Sequence, residues 1–187
     1  MKKKILVVVD MQNDFITGPL SNRECANTVE KVTHLINEGD YDEIFVTYDT
    51  HGEDYLETNE GKNLPIEHCI EGSPGHKLDD RIEKALNDAS NRNVPIRNFK
   101  KETFGGADMA RYMMDSQMSE IIDQPSTQID FCGVCTGFCV ISNVLLTKTF
   151  LPETNIRVIE NACACVTPES HKRALESMKT CHIQIVE

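Results

Sequence analysis

A three-layer α/β/α fold around a mainly parallel six-stranded sheet is predicted for this chain by three observations. Residues 4–9 (KILVVV) carry a continuous apolar, β-branched run, the pattern of a strand covered on both faces. Strand-like and helix-like segments then alternate to the end of the chain, which implies right-handed crossovers and a parallel sheet with helices on both faces. Two strands also end in reactive groups: the first delivers Asp10, and IDFCGVCTGFCV delivers Gly133 and then Cys139. In an open α/β sheet the C-terminal strand ends border the ligand crevice, so a carboxylate and a thiol placed there face a common space.

The elements follow in order. Residues 22–38 place Cys25, Val29, Val32 and Ile36 at helical spacing, with Ala26 and Leu35 widening the stripe and Gly39 as a stop. Further strands are expected at 43–48 (EIFVTY), 94–98 (VPIRN), 127–133 (TQIDFCG), 155–160 (NIRVIE) and 181–186 (CHIQIV). Helices are expected at 77–88, 106–116, 137–149 and 168–179. The irregular stretch 50–76 is longer than loops in compact domains usually are; such loops are commonly functional, and this one follows a strand end.

A chain of 187 residues, 40% hydrophobic and without a Pro/Gly/Ser linker, is read as one domain over 1–187. Its net charge of −11 argues against a nucleic-acid partner, since phosphate recognition needs clustered Lys and Arg and the run Lys2 to Lys4 merely flanks a strand. No apolar run approaches the roughly 20 residues of a membrane span, and the first is too short for a signal peptide, so no membrane partner and a cytoplasmic location are expected. The eight cysteines sit inside strand and helix patterns, as reduced thiols would.

Several groups carry chemistry. Cys139 falls in the first turn of the helix that Thr136 or Gly137 starts, where free backbone N–H groups favour a thiolate and can hold an oxyanion. Cys132 is read as packing, and a metal set of Cys132, Cys135 and Cys139 lacks a fourth ligand at matching spacing. Asp10, after five apolar residues, must be paired or perturbed, or else cap a loop at Asn13. Lys100 or Lys101, ending the third strand, offers a cation. After the second strand come Asp49, Thr50 and His51, then Glu53, Glu57, Glu60 and His68, an N/O set suited to Zn²⁺, Mn²⁺ or Fe²⁺.

Five separated elements resemble, in content and order, those of the isochorismatase-like cysteine hydrolases, and within them the nicotinamidases (pyrazinamidases). They are VVVDMQNDF at the start, DTH after the second strand, LPIEHCIEGSPG in the long loop, KETFGG after the third strand and GVCTGFCV after the fourth. The resemblance runs nearly end to end and implies a Rossmann-like sheet with a catalytic triad of Asp10, Lys101 and Cys139. Lys101 is preferred to Lys100 because it precedes Thr103 by two residues. It also implies a cis peptide between Val134 and Cys135, an oxyanion hole from the backbone N–H groups of Cys135 and Cys139, and a substrate pocket including Phe15, Phe104 and Val134. A divalent metal, Zn²⁺ foremost with Mn²⁺ or Fe²⁺ as alternatives, would be held by Asp49, His51 and His68, with Glu60 as fourth ligand and Glu57 as the fallback. The implied activity is hydrolysis of nicotinamide, or a close aromatic or small amide, to the acid and ammonia through a cysteine thioester, as in NAD salvage, by a homo-oligomer. The rivals are an isochorismatase-type or carbamoyl-amide hydrolase and a non-catalytic small-ligand binder. Two departures bear on the substrate: Thr136, Gly137 and Phe138 stand where many nicotinamidases carry an Asp, and the chain has no Trp in the loop after DTH.

Overall fold

The structure is a computed structural model and describes residues 3–119 and 122–187. Six strands form one sheet: β1 (Lys3–Val9), β2 (Glu43–Asp49), β3 (Ile96–Lys101), β4 (Thr127–Val134), β5 (Asn155–Ala164) and β6 (Gln184–Val186). Their order is β3-β2-β1-β4-β5-β6, and every neighbouring pair is parallel. Among the described residues, seven α-helices flank the sheet: α1 (Asn13–Ile16), α2 (Arg23–Glu38), α3 (Asn59–Asn63), α4 (Asp80–Asn91), α5 (Ala107–Met118), α6 (Ile141–Phe150) and α7 (Pro168–Thr180). The chain therefore has the expected three-layer α/β/α architecture.

β1 is central because its sequence permits nothing else. Ile5 to Val9 are all fully buried, and at about 2 kcal/mol per buried aliphatic side chain an edge position would forfeit much of their burial. α2 lays the stripe Cys25, Val29, Val32 and Ile36 onto the core, is capped by Asn22, which accepts from Cys25 N at 2.9 Å, and packs beside α4. α4 buries Ile82, Ala85, Leu86 and Ala89 and is capped by Asp79, which accepts from Arg81 N at 3.0 Å. α5, α6 and α7 pack in succession, which follows from right-handed crossovers running the opposite way across the sheet.

Because β1 connects outward to β2 and the chain returns over the sheet to β4, the order reverses between β1 and β4, and the ligand crevice of such sheets opens at that reversal. Registers at this edge are Val9 opposite Gly133 and Asp49 opposite Lys101. Gly133 sits at φ +114°, and a Cβ there would meet the Val9 carbonyl oxygen at 2.1 Å, so only glycine lets β4 run this close to β1.

The strand limits differ from expectation in informative ways. The third strand runs over 96–101 rather than 94–98, since α4 ends only at Asn91 and a turn at Asn93 (φ +66°) intervenes. β5 extends to Ala164 through a bulge against β4 between Phe131 and Gly133. β6 shortens to three residues because Cys181 caps α7 and His182 takes a positive φ of 64°. The helix expected at 137–149 is split: a π-turn over Thr136–Val140 precedes α6. The stretch 50–76 contains a 3₁₀ turn at Tyr55–Glu57 and α3. All eight cysteines are free. Of the basic run at the N-terminus, Lys2 lies outside the described residues, Lys3 pairs with Glu43 at 3.0 Å and Lys4 with Asp40 at 3.1 Å.

Candidate active site

The C-terminal ends of β1, β3 and β4 bring Asp10, Lys101 and Cys139 together. Asp10 follows β1 at φ +50° and is wholly buried; its Oδ1 accepts from the Thr47 hydroxyl at 2.6 Å, and its Oδ2 lies 2.7 Å from Lys101 Nζ. It does not cap at Asn13, whose N–H donates instead to the Lys77 carbonyl at 2.8 Å. Lys101 Nζ also donates to Asp49 Oδ1 at 2.9 Å and to Cys139 Sγ at 3.4 Å, so one buried ammonium joins both carboxylates and the thiol. Lys100, one residue earlier and therefore on the other face of β3, is exposed and pairs with Glu71.

Burial and charge set the protonation states. Burial pushes Asp10 above the ordinary carboxylate range, with Lys101 opposing and Asp49 adding to the shift. Burial alone would lower Lys101, but Asp10, Cys139 and Asp49 outweigh it and hold the ammonium charged. The Cys139 thiol is pushed well up, first by burial and then by Asp10, and Lys101 offsets this only in part. The expectation of a resting thiolate is thus corrected: a helix terminus favours thiolate when the thiol is hydrated, whereas Cys139 is buried beside two carboxylates in a π-turn ahead of the helix. Two carboxylates, one cation and a neutral thiol leave Asp10 as the group positioned to take the thiol proton.

The second cluster is Asp49, His51, Glu60 and His68, whose ligand atoms all lie within 4.8 Å of one another. Asp49 Oδ2 is 3.1 Å from His51 Nε2 and 3.3 Å from His68 Nε2, and His51 Nε2 is 3.9 Å from Glu60 Oε1. The Nδ1 of His68 lies 2.8 Å from the Ile66 carbonyl, which fixes it as the donor and turns Nε2 into the cluster. Burial alone would raise Asp49, but hydrogen bonds from His51 and His68 and the charge of Lys101 keep it below the ordinary range. Burial, then Asp49, raises Glu60. Two imidazoles and two carboxylates, three of the four residues buried, are a donor set that fits a divalent ion of the zinc, manganese or iron kind. Glu57 and Glu53 are exposed and outside the cluster.

Supporting residues lie beyond the sequence expectation. Gln12 is fully buried; its Nε2 donates to the Asp49 and His76 carbonyls and its Oε1 accepts from Asp49 N, each at 2.8 Å, so it clamps the backbone of a cluster residue. Tyr55 packs its ring on His51 (centroids 4.6 Å apart) and His68 (4.9 Å) and donates its hydroxyl to the Leu64 carbonyl at 2.9 Å. Asn143 donates to the Cys139 carbonyl at 2.8 Å and accepts from Gly106 N at 2.8 Å, tying the thiol turn to the segment after β3. A buried Gln or Asn inside otherwise apolar helix and strand ends was the available signal, since such amides must be satisfied by specific partners.

The peptide between Val134 and Cys135 is cis. The expected pocket residues scatter: Phe15 packs its ring 5.7 Å from His68, Val134 is wholly buried in the core, and Phe104 is 39% exposed, 5.7 Å from Phe138. A cavity of about 750 Å³ reaches His51 and Glu60 and has Phe104 and Glu102 on its wall; most of its lining comes from residues 50–63, and Asp10, Lys101 and Cys139 are not among its lining residues.

The sequence pattern of the isochorismatase domain matches residues 4–187. No curated protein matches the chain. Among solved structures, the chain is similar to the nicotinamidase/pyrazinamidase of Bacillus subtilis, at 23% identity over 99% of this chain and 100% of that one, with a TM-score of 0.78. It is similar to the pyrazinamidase/nicotinamidase of Streptococcus mutans at 20% identity over 98% and 100%, with a TM-score of 0.80. It is similar to the pyrazinamidase of Pyrococcus horikoshii in complex with zinc at 25% identity over 99% of each chain, with a TM-score of 0.73.

Proposed function

The chain belongs to the isochorismatase family, and from that premise we propose that it is a cysteine amidase hydrolysing nicotinamide, or a close aromatic or small amide, to the acid and ammonia. The observation that carries this reading is the single buried contact of Lys101 Nζ with Asp10 at 2.7 Å and Cys139 at 3.4 Å. We take residues 1–187 as one domain, in line with a family match spanning 4–187.

In this reading Asp10, its affinity for protons raised by burial, takes the thiol proton as Cys139 Sγ attacks the amide carbon. The raised thiol is no obstacle, because the proton moves in concert with attack and the thiolate need not stand free beforehand. Lys101 keeps Asp10 ionised before transfer and stabilises sulfur as charge develops on it. The backbone N–H groups of Cys135 and Cys139 hold the oxyanion. Asp10 then gives its proton to departing ammonia and assists water in opening the thioester. Asp49, His51, Glu60 and His68 would hold a divalent ion, which when bound supplies a Lewis-acidic point for a ring nitrogen or water. Gln12 and Tyr55 keep that set aligned.

Hydrolysis of a vinyl ether such as isochorismate uses no nucleophilic cysteine, so the Asp10, Lys101 and Cys139 contact is unaccounted for there. The test is ammonia release from a panel of nicotinamide, pyrazinamide, benzamide and carbamoyl amides, with and without chelator. Turnover of the pyridine and pyrazine carboxamides is expected; turnover of carbamoyl amides alone, or of none, would replace this reading.

A further inference from the structure

Cys25, Cys135 and Cys165 form a second thiol cluster, on the side of the Thr136–Val140 turn that the proposed chemistry leaves unused. Cys25 is the third residue of α2, and Asn22 Nδ2 donates to its Sγ at 3.1 Å. Cys135 Sγ lies 3.8 Å from Cys25 Sγ, and Cys25 Sγ donates to the Cys165 carbonyl at 3.9 Å. Cys135 is partly exposed, while Cys25 and Cys165 are buried. A separate cavity of about 450 Å³, with Glu24, Thr28, Cys163, Cys165 and His171 on its wall, opens beside this part of α2.

We propose that Cys25 and Cys135 are a peroxide-oxidisable pair whose reversible disulfide disables the active site, a modification site distinct from Cys139. The effect on activity rests on the amidase reading; the bond itself does not. Its sulfur–sulfur contact singles out this pair: Asn22 donates to Cys25 Sγ, which lies 3.8 Å from Cys135 Sγ, and Cys135 holds the Cys25 thiol below the ordinary value, as it does that of Cys165, which is lowered to about 5. The Cys25 sulfur attacks one oxygen of hydrogen peroxide, the O–O bond breaks, and a sulfenic acid forms; the departing hydroxide takes the proton that Cys25 gave up, leaving as water. The Cys135 sulfur then displaces the sulfenic hydroxyl, which leaves as a second water with the Cys135 proton. Two thiols lose two electrons and two hydrogens, and peroxide is reduced to two waters.

Closing the bond draws sulfurs now 3.8 Å apart together by roughly 1.8 Å. The Cys135 carbonyl accepts from Phe138 N at 3.0 Å and Val140 N at 3.1 Å, so the turn that carries Cys139 hangs from the residue that moves. Misplacing a nucleophile by an ångström is enough to cost much of the rate.

The test exposes the protein to peroxide, alkylates remaining thiols and maps peptides without reduction. A peptide pair joined through Cys25 and Cys135 is expected, with activity falling about tenfold or more and returning with dithiothreitol. Cys25→Ser should hydrolyse amide as the untreated protein does and keep that activity at the same peroxide dose. Absence of the joined pair, a bond from Cys135 to Cys165 instead, or equal loss in Cys25→Ser would overturn the proposal, the last pointing to direct oxidation of Cys139. Should Cys25→Ser not fold, the peptide map of the unaltered chain still decides. A joined pair in a protein that hydrolyses no amide would uphold the thiol pair and refute the amidase reading.

Discussion

Lys101 is the residue on which the site turns, because removing one ammonium leaves two carboxylates and a thiol facing one another in a buried space. Cys139→Ala removes the proposed nucleophile and leaves those charges paired, so turnover should fall below about one per cent while circular dichroism and the capacity to bind zinc are retained. Activity above that level would assign the attack elsewhere, with Cys135 next in line. The raised Cys139 thiol gives a second expectation: iodoacetamide should alkylate it slowly at neutral pH and faster only as pH rises past the ordinary thiol range. Lys101→Ala, which takes away the group that lowers the thiol, should slow alkylation further. An unchanged rate would remove Lys101 from the thiol's surroundings. Asp10 is shifted upward, so as pH falls the base is lost above the ordinary carboxylate value of 3.8, and the acid limb of kcat/KM should lie above that value. Asp10→Asn should abolish that limb along with most of the activity.

At the scale of the element, helix ends decide both stability and placement. Asp79 caps α4 through Arg81 N at 3.0 Å and binds the Arg81 side chain at 2.9 and 2.8 Å. Asp79→Ala should cost about 1 kcal/mol in the urea unfolding free energy, the usual worth of such a cap. The pH dependence has a definite sign. The Arg81 hydrogen bond, then the backbone N–H groups, hold Asp79 below 3.8 in the folded state. Its contribution is therefore complete above 3.8 and fades as pH falls toward the folded value, so the gap between the two proteins should narrow as pH is taken below 3.8. A gap that persists there would mean that the carboxylate charge is not what caps the helix. Tighter still is the β1/β4 contact, where Gly133→Ala would press a Cβ into the Val9 carbonyl and spread the strands that carry Asp10 and Cys139.

For the whole molecule, the strand order places the crevice between β1 and β4, while the long segment after β2 walls a cavity that reaches His51 and Glu60. If Asp49, His51, Glu60 and His68 retain a divalent ion, zinc at a hundredfold excess over its Kd should stabilise the metal-free chain by about 2.7 kcal/mol, seen as a higher Tm. Asp49→Ala should erase that shift. Chelation should reduce hydrolysis of nicotinamide far more than that of benzamide, which carries the same amide but no ring nitrogen. Equal losses on both amides would remove the orienting role, and no zinc-dependent Tm shift would leave the cluster a buried hydrogen-bonded network without an ion. Among the described residues, no helix is long and apolar enough to cross a membrane.

The sequence by itself determined the strand and helix alternation and the centrality of β1, because hydrophobic period and β-branching are local properties summed over several residues. The meeting of Asp10, Lys101 and Cys139 was also legible, from motifs spaced along the chain. Tertiary structure alone decided what those motifs do to one another. Burial turned an expected thiolate into a neutral thiol, since desolvation depends on everything packed around sulfur. Gln12 and Asn143 emerged only in the folded chain, because their hydrogen-bond clamps are defined by partners dozens of residues away, and Tyr55 because its ring packs on histidines that only the folded loop gathers. The limits of β3, β5 and β6 were likewise set by neighbouring caps and a bulge, which no window on one segment contains. The pairing of Cys25 with Cys135, 110 positions apart in the chain, arises because right-handed crossovers fold the start of α2 over the end of β4.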